Sequence, residues 1–199
     1  VIGVKKNGMA ALAGPALLKA ATGEIAKNEE LGGSEMHSRV TGLVEYLADN
    51  DAHAIEIVRD LINKIDWNSK ILKRESIKFQ EPIYDCGEII GVVPIDYKVP
   101  YDVRELIARI VDDSDFMDFK PQYGVSTVCV HTKINGFACG IIGNNGPIDP
   151  NGATKSAQFI QLCDQSDTPL LFLSNTTGFM VGKQSEQLGV IKRGAKLIQ

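Results

Sequence analysis

Two runs rich in β-branched and apolar residues, 125–133 and 137–143, flank the dipeptide Asn135-Gly136. An Asn-Gly pair between such runs favours the positive-φ two-residue turn of a hairpin. Two antiparallel strands are therefore expected here. A helical pattern follows over 153–165, with Phe159, Ile160 and Cys163 on one side. The apolar run 169–175 then ends in a polar, glycine-bearing loop. Hairpin, helix, strand and loop in this order imply an α/β layered fold.

The upstream half is built from shorter pieces. Val1-Ile2-Gly3-Val4 reads as a strand entered without a preceding turn. Pro15, after Gly14, suits the first turn of a short helix over 16–21. Residues 24–35 are polar and broken by Gly32-Gly33, which reads as a loop with a turn of helix. A short strand is expected over 43–48. Asp49-Asn50-Asp51 then offers N-caps for a helix. On it Ile55, Val58, Ile62 and Ile65 recur at helical spacing, and Leu61 widens the stripe.

Residues 67–98 hold Pro82 and Pro94, mixed charge and little periodicity. So long a connection is unusual inside one compact domain, so a linker between two domains is expected there. Beyond it, Asp102 is placed to cap a helix carrying Val103, Leu106, Ile107 and Ile110. Residues 116–123 read as a strand. The final stretch, 188–199, has a helical pattern that stops without a C-cap glycine. Both ends read as cuts through structured elements, so a piece of a longer chain is expected.

Bulk properties narrow the function classes. The 199 residues carry a formal net charge of −4, which offers no concentrated basic face for nucleic acid. No apolar run approaches the roughly 20 residues that span a bilayer. Lys5 and Lys6 lead into Asn7-Gly8 rather than an apolar core, which is not the shape of a signal peptide. Cys86, Cys129, Cys139 and Cys163 form no C-x-x-C pair and read as free thiols in a reducing compartment. His37, His53 and His131 lie far from any cysteine cluster, which speaks against a zinc site.

The segment most suggestive of chemistry is Ser174-Asn175-Thr176-Thr177-Gly178-Phe179-Met180-Val181-Gly182, delivered by an apolar strand. Backbone N–H groups in such a loop are able to stabilise a developing oxyanion. The same glycines also serve a plain connector that needs their turn geometry. A second segment, Gly140-Ile141-Ile142-Gly143-Asn144-Asn145-Gly146, leaves a strand for a polar turn whose Asn side chains could orient a ligand amide. A glycine-rich turn that merely closes a strand has the same appearance. His37, His53 and His131 read as polar surface or strand positions. Ser174 lacks the G-x-S-x-G elbow of a hydrolase, and no phosphate-binding glycine loop is present. Lys192, Arg193 and Lys196 read as a solvated helix face.

Over its length the chain resembles the carboxyltransferase (β) subunits of biotin-dependent acyl-CoA carboxylases. The resemblance is carried by Asp102-Val103-Arg104-Glu105-Leu106-Ile107-Ala108-Arg109-Ile110-Val111-Asp112 and by residues 140–146. Phe159-Ile160-Gln161-Leu162-Cys163-Asp164, residues 175–182 and Lys192-Arg193-Gly194-Ala195-Lys196 add to it. Upstream, Ala13-Gly14-Pro15, Lys19-Ala20-Ala21-Thr22-Gly23-Glu24 and Glu30-Leu31-Gly32-Gly33 with His37 also fit. The loop 175–182 is closer to the methylcrotonyl-CoA and geranyl-CoA carboxylase type. Propionyl-CoA and acetyl-CoA types usually carry Asp and Pro in it.

The resemblance implies a crotonase-like α/β fold made of parts of two repeated domains. Residues 1–66 would be the later part of the acyl-CoA-binding half, 67–98 the linker, and 99–199 the first part of the biotin-binding half. It implies transfer of CO₂ from carboxybiotin, held on a carrier protein or domain, to an acyl-CoA enolate, with no metal in this subunit. The catalytic groups would be the backbone amides of Gly178 and Phe179. Thr177, Gly178, Phe179, Gly143 and Asn144 would contact biotin. Expected partners are a biotin carboxylase or biotin carrier subunit and further copies of the subunit, with no nucleic acid and no membrane. The expected location is the cytoplasm, or the mitochondrial matrix in a eukaryote. The glycine-rich oxyanion segments of both halves are expected to lie outside residues 1–199, leaving this chain inactive alone. A carboxyltransferase subunit of a biotin-dependent decarboxylase, or a non-catalytic module of the same fold, would share these features.

Overall fold

The computed structural model describes residues 1–65, 78–96 and 98–198. Residues 67–77 and 97 of the expected linker lie outside them. The chain forms two compact units, Val1–Asp60 with Lys120–Tyr123, and Leu61–Phe119 with Gly124–Gln199.

The first unit is organised by a parallel pair, β1 (Ile2–Val4) and β2 (Tyr46–Ala48), in the register Ile2 to Tyr46 and Val4 to Ala48. Between them run α1 (Pro15–Thr22), α2 (Asn28–Gly32), α3 (Ser34–Met36) and a π-helical turn, His37–Thr41. Pro15 opens α1 as expected, and Gly23 closes it at φ 77°. The region read as a loop with one turn of helix holds α2 and α3, hinged at extended Gly33. Gly3 is required by its surroundings, since a Cβ there would stand 2.8 Å from Ser34 Oγ.

The helix α4 (Asp51–Lys64) starts where the Asn50 carboxamide accepts the His53 N–H at 2.9 Å. Its buried residue is Ile57, whereas Ile55, Val58 and Ile62 of the expected stripe are exposed. Ile57 lies roughly 200° around the helix from Ile55 at 3.6 residues per turn. Periodicity marked an apolar face, but tertiary contacts selected a different one.

The second unit holds a four-stranded sheet in the order β3 (Phe116–Asp118), β4 (Thr127–Ile134), β5 (Phe137–Asn144), β6 (Leu170–Leu173). The first three are antiparallel and β6 adds parallel to β5. Asn135 (φ 52°) and Gly136 (φ 80°) make the expected hairpin turn. The Asp112 carboxylate accepts both of their N–H groups, at 2.7 and 2.6 Å. The strand expected over 116–123 pairs for only three residues, because Lys120 turns the chain at φ 49°.

Alternation along β4 and β5 splits the core into two layers. On one face Val128, Val130, Cys139 and Ile141 pack with Val103, Ile107 and Val111. Those last residues belong to α6 (Arg104–Ile107) and its flanks. On the other face lies α7 (Pro150–Gln165), bringing Phe159 and Cys163 over Gly140. A Cβ at 140 would stand 2.7 Å from Cys163 Sγ and 3.0 Å from the Phe159 ring. The remaining short helices are α5 (Ile89–Val92), α8 (Lys183–Gln187) and α9 (Val190–Ile198). Gly189, at φ 77°, separates the last two.

Candidate active site

The parallel register of β5 and β6 sends both strands out of the sheet at the same end. Gly143 pairs with Leu173, and the loops 145–149 and 174–182 leave side by side. Ligands of open α/β sheets bind outside such carboxyl ends. Here one further backbone rung joins the loops. Ile148 N–H donates to Gly178 O at 2.9 Å, and Met180 N–H donates to Ile148 O at 2.8 Å. The first loop then enters α7, where the Asp149 side chain caps Gly152 N–H and Pro150 takes the first helical turn. This Asp-Pro start lies three residues before the one read from apolar periodicity, and the dipeptide itself was the available signal.

The rung orients the amides singled out from the sequence. With Gly178 O and Met180 N–H turned towards Ile148, the Phe179 N–H faces the other way. Among the described residues it makes no hydrogen bond. The Gly178 N–H is engaged within the loop, donating to Thr176 Oγ1 at 3.1 Å. Gly178 (φ 118°) and Gly182 (φ 131°) hold backbone conformations that favour glycine. Thr177 is exposed beside them.

Gly143 and Asn144 point to opposite faces of the sheet. Gly143 lies against Val103, whose two methyl carbons would stand 2.8 Å from a Cβ at 143. Its lack of a side chain is thus used in core packing. Asn144 is buried and pairs with Thr127 at the start of β4. The next residue, Asn145, reaches the loop. Its Oδ1 accepts the Val103 N–H at 2.7 Å and its Nδ2 donates to Asp102 at 3.0 Å. Sequence reading noted Asn145 within its segment but did not select it. Strand parity from the Asn135-Gly136 turn separates 144 from 145.

The loop 174–182 has two sides. On one, Asn175, Thr176 and Thr177 face Val99, Pro100, Tyr101, Asn145 and Pro147 across a cleft of about 390 Å³. On the other, Phe179, Met180 and Val181 line an apolar groove of about 380 Å³ with Val190, Ile191 and Ile198 of α9. Arg193 of α9 is turned inward, donating to Asn151 Oδ1 at 3.0 Å, while Lys192 and Lys196 are exposed.

Two charges, Lys155 buried and Asp102 exposed, support this end of the sheet. Lys155 on α7 is fully buried and donates from Nζ to Thr127 O at 2.7 Å. Burial holds its ammonium below the usual lysine value. Burial alone would raise Asp102. The Arg104 backbone N–H, the Asn145 amide and the Arg104 charge outweigh it and hold the carboxyl below its ordinary value. His131 on β4 sits against Phe119 and Phe159, at 6.3 and 4.7 Å between ring centroids, away from both loops. His37 bonds Thr41 and Ala10 O. Among the described residues no group of three or more His, Cys, Asp or Glu is arranged to hold a metal ion. No described helix is long and apolar enough to cross a membrane.

The carboxyl transferase domain family matches residues 1–199. The mitochondrial methylcrotonoyl-CoA carboxylase beta chain of Arabidopsis thaliana is 44% identical, over 98% of this chain and 34% of its own length. The geranyl-CoA carboxylase beta subunit of P. aeruginosa is 54% identical with a TM-score of 0.61, over 100% of this chain and 37% of that one. The transcarboxylase 12S structure, described as a hexamer and bound to methylmalonyl-coenzyme A, is 35% identical with a TM-score of 0.86. It is covered over 39% of its length, by 98% of this chain. The chain thus spans between 34% and 39% of these three proteins. The α/β layers described above are parts of a crotonase-like fold, and the chain belongs to the carboxyl transferase domain family.

Proposed function

We propose that the chain is part of the carboxyltransferase component of a biotin-dependent acyl-CoA carboxylase, acting on a methylcrotonyl-CoA-like substrate. The observation that carries this reading is the family match along the whole chain, through both units. The substrate preference rests on the likeness to the methylcrotonoyl-CoA and geranyl-CoA carboxylase beta chains. Residues 1–66 would serve the acyl-CoA, 99–199 the biotin, and 67–98 would link the two. Partners would be a biotin carboxylase or biotin carrier subunit and further copies of the subunit. The location would be the cytoplasm, or the mitochondrial matrix in a eukaryote.

The site's residues fit an uncharged, hydrogen-bonding ring. The cleft between Tyr101 and Thr177 is lined mainly by amide, hydroxyl and apolar groups. Carboxybiotin on a carrier would supply the CO₂ and, once that has left, a base for the acyl-CoA proton, which in a methylcrotonyl-CoA-like thioester is on the γ-carbon conjugated to the carbonyl. What this chain adds is binding and electrostatics. The outward Phe179 N–H is a fixed donor for oxygen that gains negative charge, the kind of group that stabilises an enolate without reorganising. The Gly178 N–H, held by Thr176, keeps the loop in shape. Thr177 would contact the ring from the exposed side of the loop. Gly143 and Asn144 would act from the strand end.

The test is carboxylation by the full gene product with its biotin-carrying partner, using labelled bicarbonate and a panel of acyl-CoA thioesters. Incorporation fastest into 3-methylcrotonyl-CoA or geranyl-CoA is expected. Incorporation into no acyl-CoA would overturn the reading.

A further inference from the structure

We propose that Asn145 is the positioning residue of the cleft, setting its width for the ureido ring of biotin. This rests on the carboxyltransferase reading above. Both ends of its carboxamide are used, Oδ1 by the Val103 N–H at 2.7 Å and Nδ2 by Asp102 Oδ1 at 3.0 Å. Its own N–H donates to Ser126 O at 2.8 Å, so the residue is held to the chain just before β4 while it holds the entry of α6.

The latch is anchored further in. Asp102 Oδ1 also accepts the Arg104 N–H at 3.0 Å, and Arg104 Nε donates to Asp118 on β3 at 2.9 Å. Val103 is fully buried against Gly143, and Asn145, two residues on and just past the end of β5, reaches the same residue. Residues 102 and 103 are therefore fixed from 143 and 145 together. Pro100 and Tyr101, immediately before them, form one wall of the cleft, and Asn175 to Thr177 form the other. The carboxamide of Asn145 thus determines where the first wall stands relative to the second. A ring that fills the cleft senses a shift of that wall before the chemistry does.

The distinguishing variant is Asn145→Asp. It places a second carboxylate against Asp102 and removes the donor, with little change in volume. In the full gene product with its biotin-carrying partner, free d-biotin serves as the carboxyl acceptor from a carboxylated acyl-CoA. The KM for d-biotin is expected to rise about tenfold, with kcat and the KM for the acyl-CoA within about threefold of the parent. Adding Asp102→Asn reverses donor and acceptor, and is expected to return most of the lost biotin KM. An unchanged biotin KM in Asn145→Asp would overturn the proposal. So would a fall in kcat and in affinity for both substrates that tracks a lowered melting temperature, the signature of a purely structural role. A parent protein with no biotin-dependent turnover would remove the carboxyltransferase reading itself, and this inference with it. The parent control therefore separates the two failures.

Discussion

The Phe179 ring rests on Gly194: a Cβ at position 194 would stand 3.0 Å from Cε1 and Cζ of the ring. The helix α9 therefore has glycine where the loop residue with the free amide must seat its side chain. Gly194→Ala should raise intrinsic helix propensity by about 0.8–1 kcal/mol. It should also push the ring outward and turn the Phe179 N–H with it. The expected result is a nearly unchanged melting temperature with biotin-dependent turnover lowered about tenfold, an effect of one misplaced donor. Paired thermal melts and steady-state assays measure both quantities.

Gly178 tests the backbone alone. Nothing lies within 4 Å of a Cβ built there, yet φ is 118°. Gly178→Ala should therefore cost about 1–3 kcal/mol through conformation rather than collision. Urea unfolding followed by protease sensitivity of the 174–182 loop reports it. An alanine variant as stable and as resistant as the parent would contradict the assignment.

Lys155 is the buried charge whose loss should be felt most. Lys155→Ala removes the Thr127 O partner and leaves a void, so a loss on the order of 3 kcal/mol is expected. Lys155→Met fills the space without the donor and should cost less, because the desolvation of the ammonium disappears too. Denaturant midpoints of the two variants give the order.

His131 links the fold to pH. Burial, with help from the Lys64 charge, lowers its pKa from the usual 6.5 of a histidine to about 4. Below pH 6.5 the unfolded chain takes up a proton that the folded chain does not. Stability should therefore fall between pH 6.5 and 4 and level off beneath, by about 3 kcal/mol in all. His131→Phe should flatten this part of the profile. Denaturation of both proteins at pH 7 and pH 4.5 gives the comparison, and equal slopes would remove His131 as the cause.

The hairpin, its turn, α7 and β6 were legible because short-range signals and tertiary packing agree there. Asn135-Gly136 fixes the turn, and alternation on either side then fits both core layers. The strand expected over 116–123 failed after three residues because Lys120 takes a left-handed conformation just before Pro121, the local breaker in that stretch. The α4 stripe failed for a different reason. Ile55, Val58 and Ile62 satisfy helical spacing, but Ile57 is the residue that finds a buried setting. In the candidate site, Gly178 and Phe179 stood out through their loop. Asn145 did not, because its importance lies in partners 42 and 43 residues away. Gly143 stood out through its neighbours in sequence, but the packing of Val103 against it was not legible there.

The four thiols give the molecule a chemical gauge of its own integrity. Cys86 is exposed, while Cys129, Cys139 and Cys163 are buried in the second unit. Burial pushes Cys129 and Cys163 up to about 12 and raises Cys139 as well, so little reactive thiolate forms at neutral pH. A maleimide or an aromatic disulfide should therefore label once while the fold holds. The second, third and fourth labels should then appear only as the sheet and α7 come apart. Label stoichiometry by intact mass becomes a clock for opening of the layer that carries the candidate site, read without introducing any probe residue.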